Sequence, residues 1–221
     1  MLAGIADTAG FTKGAISYGP NKISLSCSNG RKPRDPLYAG FDRTFEKDDK
    51  GNLLVHHGAF FLPKSNQKGG NAVNMMADAL PVYDELGVFR ITIEAVGVGK
   101  HAWLRCGFIP DKEDAVGLAN RILDSLPAFR QQFPDVAKED LLPIEQTLAR
   151  MRGGDARAAW DLADNDAKMP DGKQTIANYL LVNVSGWWDG DFDMRDPITR
   201  KRCQEYIDSK SGEYSNYSLD I

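Results

Sequence analysis

The chain has 221 residues, of which 42% are hydrophobic, and a formal net charge of -4. This size and apolar content suffice for a buried core and predict one domain with an appended region. The acidic balance gives no electrostatic reason to expect nucleic acid as a partner, and no apolar run is long enough to span a membrane. Three scattered cysteines favour a reducing, cytoplasmic location over a disulfide framework or structural zinc.

Short extended segments are predicted in the first part of the chain. Met1–Tyr18 fits either a loose helix or an irregular lead. Alternation predicts a strand at Lys22–Ser26, and extended structure resumes at Tyr38–Phe45. The run Asp48–Asn52 is typical of a hairpin connection into a strand within Leu53–Leu62. Three antiparallel strands are therefore expected here.

The central stretch is a strand, a glycine-rich turn, a helix and a second strand. The turn contains Gly69 and Gly70. Apolar residues at helical spacing predict a helix from Val73 to Tyr83, and Gly87 stands where that helix would close. A second strand at Ile91–Ala95 follows. Such a crossover unit places its two strands in one sheet, usually side by side and parallel.

The glycine-rich turn has a specific physical meaning. Two consecutive glycines let the backbone approach a bulky ligand, and the free N–H groups of the following helix start point toward it. This arrangement is typical of a phosphate or pyrophosphate site, although a glycine pair before a helix also occurs as a plain turn. The turn lacks the Gly-Lys-Ser/Thr ending of a P-loop and the three-glycine spacing of dinucleotide-binding folds.

Two motifs resemble those of the GNAT superfamily of N-acetyltransferases. Gln67-x-x-Gly70-x-Ala72 resembles the family's Gln/Arg-x-x-Gly-x-Gly/Ala turn, which lies between a strand and a long helix. The run from Ala102 to Phe108 resembles the family's short helix that ends in Gly-Phe. The order and spacing match over residues 22–110, and the chain looks most similar to divergent GNAT-like domains of phage and bacterial accessory proteins.

The resemblance implies an α/β fold with a GNAT-like mixed sheet, in which antiparallel strands lead to a splayed parallel pair, and an appended C-terminal helical region. It assigns residues 1–112 to an acyl-coenzyme A-binding core and residues 113–221 to the helical region. It also implies acetyl-coenzyme A (acetyl-CoA) as the donor substrate, with its pyrophosphate on the turn. The implied cofactor-binding residues are Gln67, Lys68, Gly69, Gly70, Asn71 and Ala72.

Candidate catalytic residues stand on the two strands of the crossover unit. His56 and His57 are adjacent and so point to opposite faces of the sheet. Each is either a hydrogen-bonded sheet histidine or an acceptor of the proton that an amine must lose before it attacks a thioester. Glu94 stands in an apolar and β-branched run, so it is a proton acceptor, a member of an ion pair or an exposed edge residue. His57 and Glu94 are our candidate bases.

Trp103 is the third candidate catalytic residue. It stands where many members of the family carry the tyrosine that protonates the leaving thiolate. An indole N–H donates a hydrogen bond but gives up no proton near neutral pH, so Trp103 could only orient or stabilise. The short link between Ser26 and Tyr38 also has no counterpart of the two helices that help to form the family's acceptor pocket.

The resemblance implies an acyltransferase, most simply an N-acetyltransferase that moves an acetyl group from acetyl-CoA to an amine on a small molecule or a protein. The alternative is a non-catalytic GNAT-like structural or interaction module of a phage or secretion-related assembly. A nucleotide-linked donor other than acetyl-CoA also stays open, because amides at a helix start recognise phosphate rather than a whole cofactor. No metal is expected, and a homodimer is left open.

The rest of the chain is predicted to be helical. An apolar stripe over residues 116–126 indicates a helix that Pro127 ends, and another helix stops at Gly153 and Gly154. Asp196 followed by Pro197 is typical of a capped helix start.

Two features of this part have alternative interpretations. The aromatic and acidic run Ser185–Met194 predicts a loop, in which Trp187 and Trp188 serve either as packing anchors or as substrate contacts. Lys100 and Arg105 are either cations near the implied pantetheine channel or ordinary solvated charges. Cys106 is expected to be a buried, inert thiol.

Overall fold

The computed structural model describes residues 13–62 and 71–211. These residues form seven strands and seven helices. The strands are β1 Lys13–Tyr18, β2 Lys22–Ser28, β3 Gly40–Lys47, β4 Leu53–Phe61, β5 Val88–Ala95, β6 Ile109–Pro110 and β7 Trp188–Asp193. The helices are α1 Asn71–Glu85, α2 Gly99–Arg105, α3 Lys112–Gln132, α4 Lys138–Arg152, α5 Ala158–Asp164, α6 Ile176–Asn183 and α7 Pro197–Ser211.

The chain divides into two compact units. The first consists of Met1–Ile93 together with Asp193–Ile221, and the second is Glu94–Phe192. The division expected from the sequence, into a core of residues 1–112 and a helical region of residues 113–221, stays a prediction.

The first unit contains a mixed sheet. Its strands lie in the order β1-β2-β3-β4-β5. The first three pairings are antiparallel, and β4 pairs with β5 in parallel. This confirms the predicted α/β architecture with antiparallel strands leading to a parallel pair. The hairpin between β3 and β4 is also confirmed, since the Asp48 N–H donates to the Asn52 carbonyl at 3.0 Å and Gly51 has a φ of 81°.

The outermost strand β1 was not predicted. Its first half contains Gly14 and Ala15, which have little strand preference, so the alternation is confined to the last residues of the segment. Pairing with β2 stabilises the strand despite this weak local preference. Ile16 lies opposite Leu25, and Tyr18 lies opposite Ile23. Three antiparallel pairings, rather than two, therefore lead to the parallel pair of β4 and β5.

Helix α1 packs with the sheet in the first unit. The predicted face includes Val73, Met76 and Tyr83, which are all buried, and Gly87 closes the helix with a φ of 69°. Val55 on β4 and Ile91 on β5 are fully buried. Burial of each large apolar side chain contributes about 1.5–3 kcal/mol, so this face is sufficient to hold the crossover helix in place.

Helix α7 belongs to the same unit as α1. The Asp196 carboxylate accepts from the Ile198 N–H at 3.1 Å and from the Thr199 hydroxyl at 2.7 Å, which confirms the predicted cap. The Arg200 guanidinium donates to both carboxylate oxygens of Asp84, at 2.5 and 2.7 Å. This bidentate pair joins α7 to the end of α1.

The second unit combines helices α2 to α6 with the short antiparallel pair β6 and β7. Phe108 is fully buried and packs against Phe192, with 5.5 Å between ring centroids. The run predicted as a loop is in part strand β7, which begins at Trp188. Its alternating burial places Trp188, Gly190 and Phe192 inside. The sequence suggested a loop because aspartates occupy the alternate, outward positions.

Helix α3 does not end at Pro127 as predicted but continues to Gln132. Pro127 has no N–H to donate to the carbonyl four residues earlier, a defect that costs about 3 kcal/mol inside a helix. Burial offsets this cost, because Leu126 and Phe129 on either side are both almost fully buried. Phe129 also packs against Tyr179, with ring centroids 5.6 Å apart. The helices after residue 111 form the expected C-terminal helical region.

Candidate functional site

A β-bulge in β4 marks the end of the parallel ladder. Phe41 pairs with Phe60 and Arg43 pairs with His57, so that two residues of β4, Gly58 and Ala59, lie opposite one residue of β3. The last parallel pair between β4 and β5 is His57 with Ile93, while β4 continues to Phe61. A bulge bends its strand and ends pairing, and bulges are frequent next to active sites. The final part of β4 therefore lies outside the parallel ladder.

The bulge has a steric requirement for glycine. A Cβ atom at residue 58 would lie 3.2 Å from the Cβ of Asp42, which is closer than most such contacts. Glycine lets β4 pass β3 at this point without displacing the aspartate. The sequence shows Gly58 in a strand, which is a known sign of a bulge or a close backbone approach.

The glycine-rich turn follows β4 and precedes α1. Gln67, Lys68, Gly69 and Gly70 lie outside the described residues, and so do the side chains of Asn71 and Ala72. Their assignment to the cofactor stays a prediction. Helix α1 begins at Asn71, directly after the two glycines, and has no acidic residue in its first turn. The N-terminal end of this helix is thus electrostatically open to an anion.

His57 lies inside the first unit rather than at its surface. Its side chain is 2% exposed, and its Nε2 shares a 2.8 Å hydrogen bond with the Tyr83 hydroxyl. Burial, followed by the charges of Arg43 and His56, holds the pKa of His57 well below its usual value. This is the geometry expected of a structural sheet histidine, and the role of His57 as a base stays a prediction. His56 points to the other face, is exposed, and bonds Thr92 through Nδ1 at 3.0 Å.

Arg43 completes a buried polar network that the sequence analysis missed. It is 4% exposed, and its Nη1 donates to the Asp42 carbonyl at 2.7 Å. Its charge also acts on Tyr83: burial raises the pKa of Tyr83, and nearby Arg43 lowers it in part. Tyr83 in turn shares the hydrogen bond with His57 Nε2, so Arg43, Tyr83 and His57 form one buried polar group.

Two further contacts enclose the Arg43 guanidinium. Nη2 lies 2.9 Å from the Met75 sulfur on α1, and the guanidinium carbon lies 5.0 Å from the centroid of the Phe41 ring. A signal for this burial exists in the sequence: Phe41, Arg43 and Phe45 alternate along β3, so the arginine shares a face with two phenylalanines. Burial lowers the pKa of Arg43, but an arginine stays charged.

Glu94 has the exposed position that was one of its three expected alternatives. It lies near the end of β5, between the buried residues Ile93 and Ala95, and its side chain is exposed. The run looked apolar because the alternate residues of β5 face the core. Exposure removes the cost of a buried carboxylate, and the role of Glu94 as a base stays a prediction.

Trp103 is a buried residue of α2 in the second unit. It is 9% exposed and contacts Phe108 edge to face, with ring centroids 5.1 Å apart. A Cβ atom at Gly99 would lie 3.2 Å from the indole nitrogen, so that glycine makes room for the ring. Gly107, which follows the helix, has a φ of 94°, as expected for the Gly-Phe ending. The role of Trp103 in transfer stays a prediction.

The two tryptophans of the aromatic run have different environments. Trp188 is fully buried, as expected for a packing anchor, whereas Trp187 is 58% exposed. Lys100 was expected to be either solvated or near the implied channel, and it is 5% exposed. Cys106 is buried, in agreement with its interpretation as an inert thiol.

The described residues contain no group of three or more histidine, cysteine, aspartate or glutamate side chains arranged to hold a metal ion. Over the same part of the chain, every helix is too short or too polar to cross a membrane.

Comparison with known proteins gives little further information. No protein-family model matches the chain, and no curated protein matches it. Among solved structures, it is similar to a chain in the crystal structure of the KacTA-DNA complex, at 18% identity and a TM-score of 0.28. The match covers 42% of this chain and 63% of that one. A likeness of this size decides neither fold family nor function, and the expectation that this chain binds no nucleic acid stays a prediction.

Proposed function

We propose that this protein is a GNAT-like acyltransferase that binds acetyl-CoA and transfers its acetyl group to an amine. The observation that carries the proposal is the bulge in β4, which ends the parallel ladder at His57 just before the strand leads into the Gln67–Ala72 turn. The order of bulged strand, glycine-rich turn and crossover helix agrees with the resemblance of both sequence motifs to the family.

Each part of the proposed donor site has a chemical match in acetyl-CoA. The backbone N–H groups at the start of α1 match the pyrophosphate, and no first-turn carboxylate opposes it. The backbone of Gly58–Phe61, outside the parallel ladder, offers N–H and C=O groups to the amides of the pantetheine arm. Acetyl-CoA would then lie along the end of β4, which the bulge bends away from the parallel ladder.

The proposed reaction is direct attack of a neutral amine on the thioester carbonyl. A C–N bond forms, the C–S bond breaks, the amine loses one proton and the thiolate gains one, which water supplies because Trp103 cannot. Of the two candidate bases, exposed Glu94 fits proton acceptance better than His57, whose Nε2 is occupied by Tyr83. The acceptor is an amine on a small molecule or a protein.

The test is calorimetric titration of the full chain with acetyl-CoA, using wild type and two charge-matched variants. Gly70→Glu places a carboxylate at the expected pyrophosphate position. Leu86→Glu places the same charge just beyond the other end of α1, about 22 Å away along the helix, at a residue that is 47% exposed. We expect micromolar binding, about 8 kcal/mol, in wild type and Leu86→Glu and no binding in Gly70→Glu.

Two outcomes would contradict the donor site. One is that wild-type protein with a normal thermal transition does not bind acetyl-CoA; the other is that the two glutamate variants lose affinity equally. The first outcome would mean that the protein does not use acetyl-CoA. The second would mean that added negative charge weakens binding wherever it is placed, and not through a site at the turn.

The second candidate function is a non-catalytic GNAT-like module of a larger assembly. The observation that favours it is the position of Trp103, buried against Phe108 where the family carries its proton-donating tyrosine. No helix lies between β1 and β3 among the described residues, so the family's acceptor helices have no counterpart there. Acetyl-CoA binding without acetyl transfer to any amine in a broad acceptor screen would favour this candidate.

A further inference from the structure

Tyr38 and Phe61 form an exposed aromatic pair at the carboxyl end of β4. Their ring centroids lie 5.9 Å apart, with 53° between the ring planes. Gly40 pairs with Phe61 and leaves room for the tyrosine, since a Cβ atom there would lie only 2.7 Å from Tyr38 Cζ. Phe61 is nevertheless 52% exposed, and neighbouring Leu37 is 49% exposed. Phe61 is thus held from one side by Tyr38 and offers a stacking surface for a flat ligand on the other.

This pair lies on the face of the sheet opposite α1. Phe60, one residue before Phe61, packs against a cluster that includes buried Phe41. Arg43, on the same face as Phe41, contacts Met75 of α1. Because successive strand residues point to opposite faces, Phe61 points away from α1.

The loop that carries Tyr38 also carries cations without an acidic partner. Its one carboxylate, Asp35, accepts from the Arg31 guanidinium at 3.1 Å. Lys32 and Arg34 are exposed and form no ion pair within the part of the chain that the structure describes. Two consecutive turns, in which the Asp35 N–H donates to the Lys32 carbonyl and the Tyr38 N–H to the Asp35 carbonyl, both at 2.9 Å, hold these cations close to the aromatic pair.

We propose that the aromatic pair and the two cations form a binding site for a free nucleotide. The base stacks on Phe61, and the phosphate lies against Arg34 and Lys32. Two cations match the nearly double negative charge of a phosphate monoester better than the single charge of a carboxylate. The site faces away from α1, so it is separate from the proposed donor site and does not depend on acetyl-CoA binding.

The test is calorimetric titration of the full chain with adenosine monophosphate (AMP), adenosine and inorganic phosphate at equal ionic strength. AMP carries both the ring and the charge, whereas each of the other probes carries one of them. We expect saturable binding of AMP that is at least about tenfold tighter than that of either other probe, because losing a charge-assisted hydrogen bond or the stacked base costs about that much.

Matched variants test the ring. Phe61→Leu removes the aromatic ring but keeps an apolar side chain, and Trp187→Leu makes the same change at a residue that is 58% exposed in the second unit. AMP should bind at least about fivefold more weakly to Phe61→Leu, which is the lower end of what base stacking contributes. Its affinity for Trp187→Leu should be unchanged.

A double variant, Lys32→Gln with Arg34→Gln, tests the charges and serves if Phe61→Leu does not fold. Its control, Lys138→Gln with Arg152→Gln, removes two exposed cations from the ends of α4 and so changes the net charge equally. AMP should bind at least about tenfold more weakly to the first and equally well to the second.

The proposal is overturned if wild type does not bind AMP, if AMP binds no tighter than phosphate, or if the variants bind AMP as tightly as their controls. Displacement of AMP by acetyl-CoA would also overturn it, because the two sites would then be one. Protein that binds AMP but not acetyl-CoA would contradict the proposed function alone.

Discussion

Arg43 and Lys100 are both almost fully buried cations, but their surroundings differ. Arg43, in the first unit, contacts a backbone carbonyl, a methionine sulfur and a phenylalanine ring, and its charge acts on nearby Tyr83. For Lys100, in the second unit, burial and the charge of Arg121 both lower the pKa, and no carboxylate of the described residues pairs with it. Two cations with equally small exposed fractions can therefore have very different surroundings.

The largest effect is expected from truncating the enclosed cation. Arg43→Ala leaves the Asp42 carbonyl without its donor and opens a cavity, so the free energy of unfolding should fall by about 3 kcal/mol. Arg43→Met keeps the volume and removes the buried charge, so it should cost clearly less. Urea unfolding of both variants measures the difference. Equal losses would mean that Arg43 acts through its charge and polar contacts rather than through its volume.

The next effect tests the buried hydrogen bond between Tyr83 and His57. Tyr83→Phe removes the hydroxyl of this bond, and about 1–2 kcal/mol of stability should be lost because His57 Nε2 loses its partner. Tyr18, which is 77% exposed, provides the matched control, and Tyr18→Phe should change stability by less than about 0.5 kcal/mol. Similar midpoints for both variants in urea would refute the network.

The pH dependence of stability compares buried His57 in the first unit with half-buried His101 on α2 in the second, whose Nε2 lies 3.0 Å from the Ala163 carbonyl. Burial is the first cause that lowers the folded-state pKa of both His57 and His101. Below about pH 6.5 the unfolded chain then binds more protons than the folded one, so stability falls as pH falls. Each histidine contributes a slope of up to about 1.4 kcal/mol per pH unit.

His57→Gln should flatten the slope between about pH 6.5 and 5.5, whereas His56→Gln, at an exposed residue, should leave it unchanged. The measurement is urea unfolding at a series of pH values. A slope that survives in His57→Gln at its full wild-type size would show that His57 titrates normally.

The smallest effect has the opposite sign. Lys100→Met replaces a lysine that is 5% exposed, and has no carboxylate partner among the described residues, with an apolar side chain of similar length. Stability in chloride buffer should therefore rise, by about 1 kcal/mol. Lys138→Met, at an exposed lysine at the start of α4, should be neutral within about 0.5 kcal/mol. Thermal melting of the three proteins checks this, and a marked loss in Lys100→Met would place Lys100 with Arg43 among the enclosed cations.

Much of the sheet and the crossover helix was predictable because the signals are local. The stripe that contains Val73 and Met76 sets the period of α1, and Gly87 marks its end. The bulge opposite Asp42 had only one local sign, Gly58 within a strand, because its position depends on how two strands pair. The predicted end of α3 at Pro127 was wrong, because tertiary burial of Phe129 outweighs the local rule that proline ends a helix.

The motifs of the candidate site were predictable from the sequence, but the burial and the contact partners of its residues were not. The sequence identified His57 and Glu94 but not which one the fold buries, since burial of alternate strand residues depends on the elements that cover each face. Arg43 carried a readable signal in its two phenylalanine neighbours on β3. The burial of Lys100 had no such signal in the sequence, because the residue follows a glycine-rich loop, where a lysine is usually solvated. Only packing in the second unit buries it.

The most direct test of the donor site is amide hydrogen exchange with and without acetyl-CoA. We predict slower exchange on binding in peptides that cover Gly58–Phe61 and Gln67–Met75, and unchanged exchange in β1 and β2. This pattern would place the cofactor along the bulged strand and at the start of α1. Protection confined to other segments, or no protection at saturating acetyl-CoA, would contradict the proposed site.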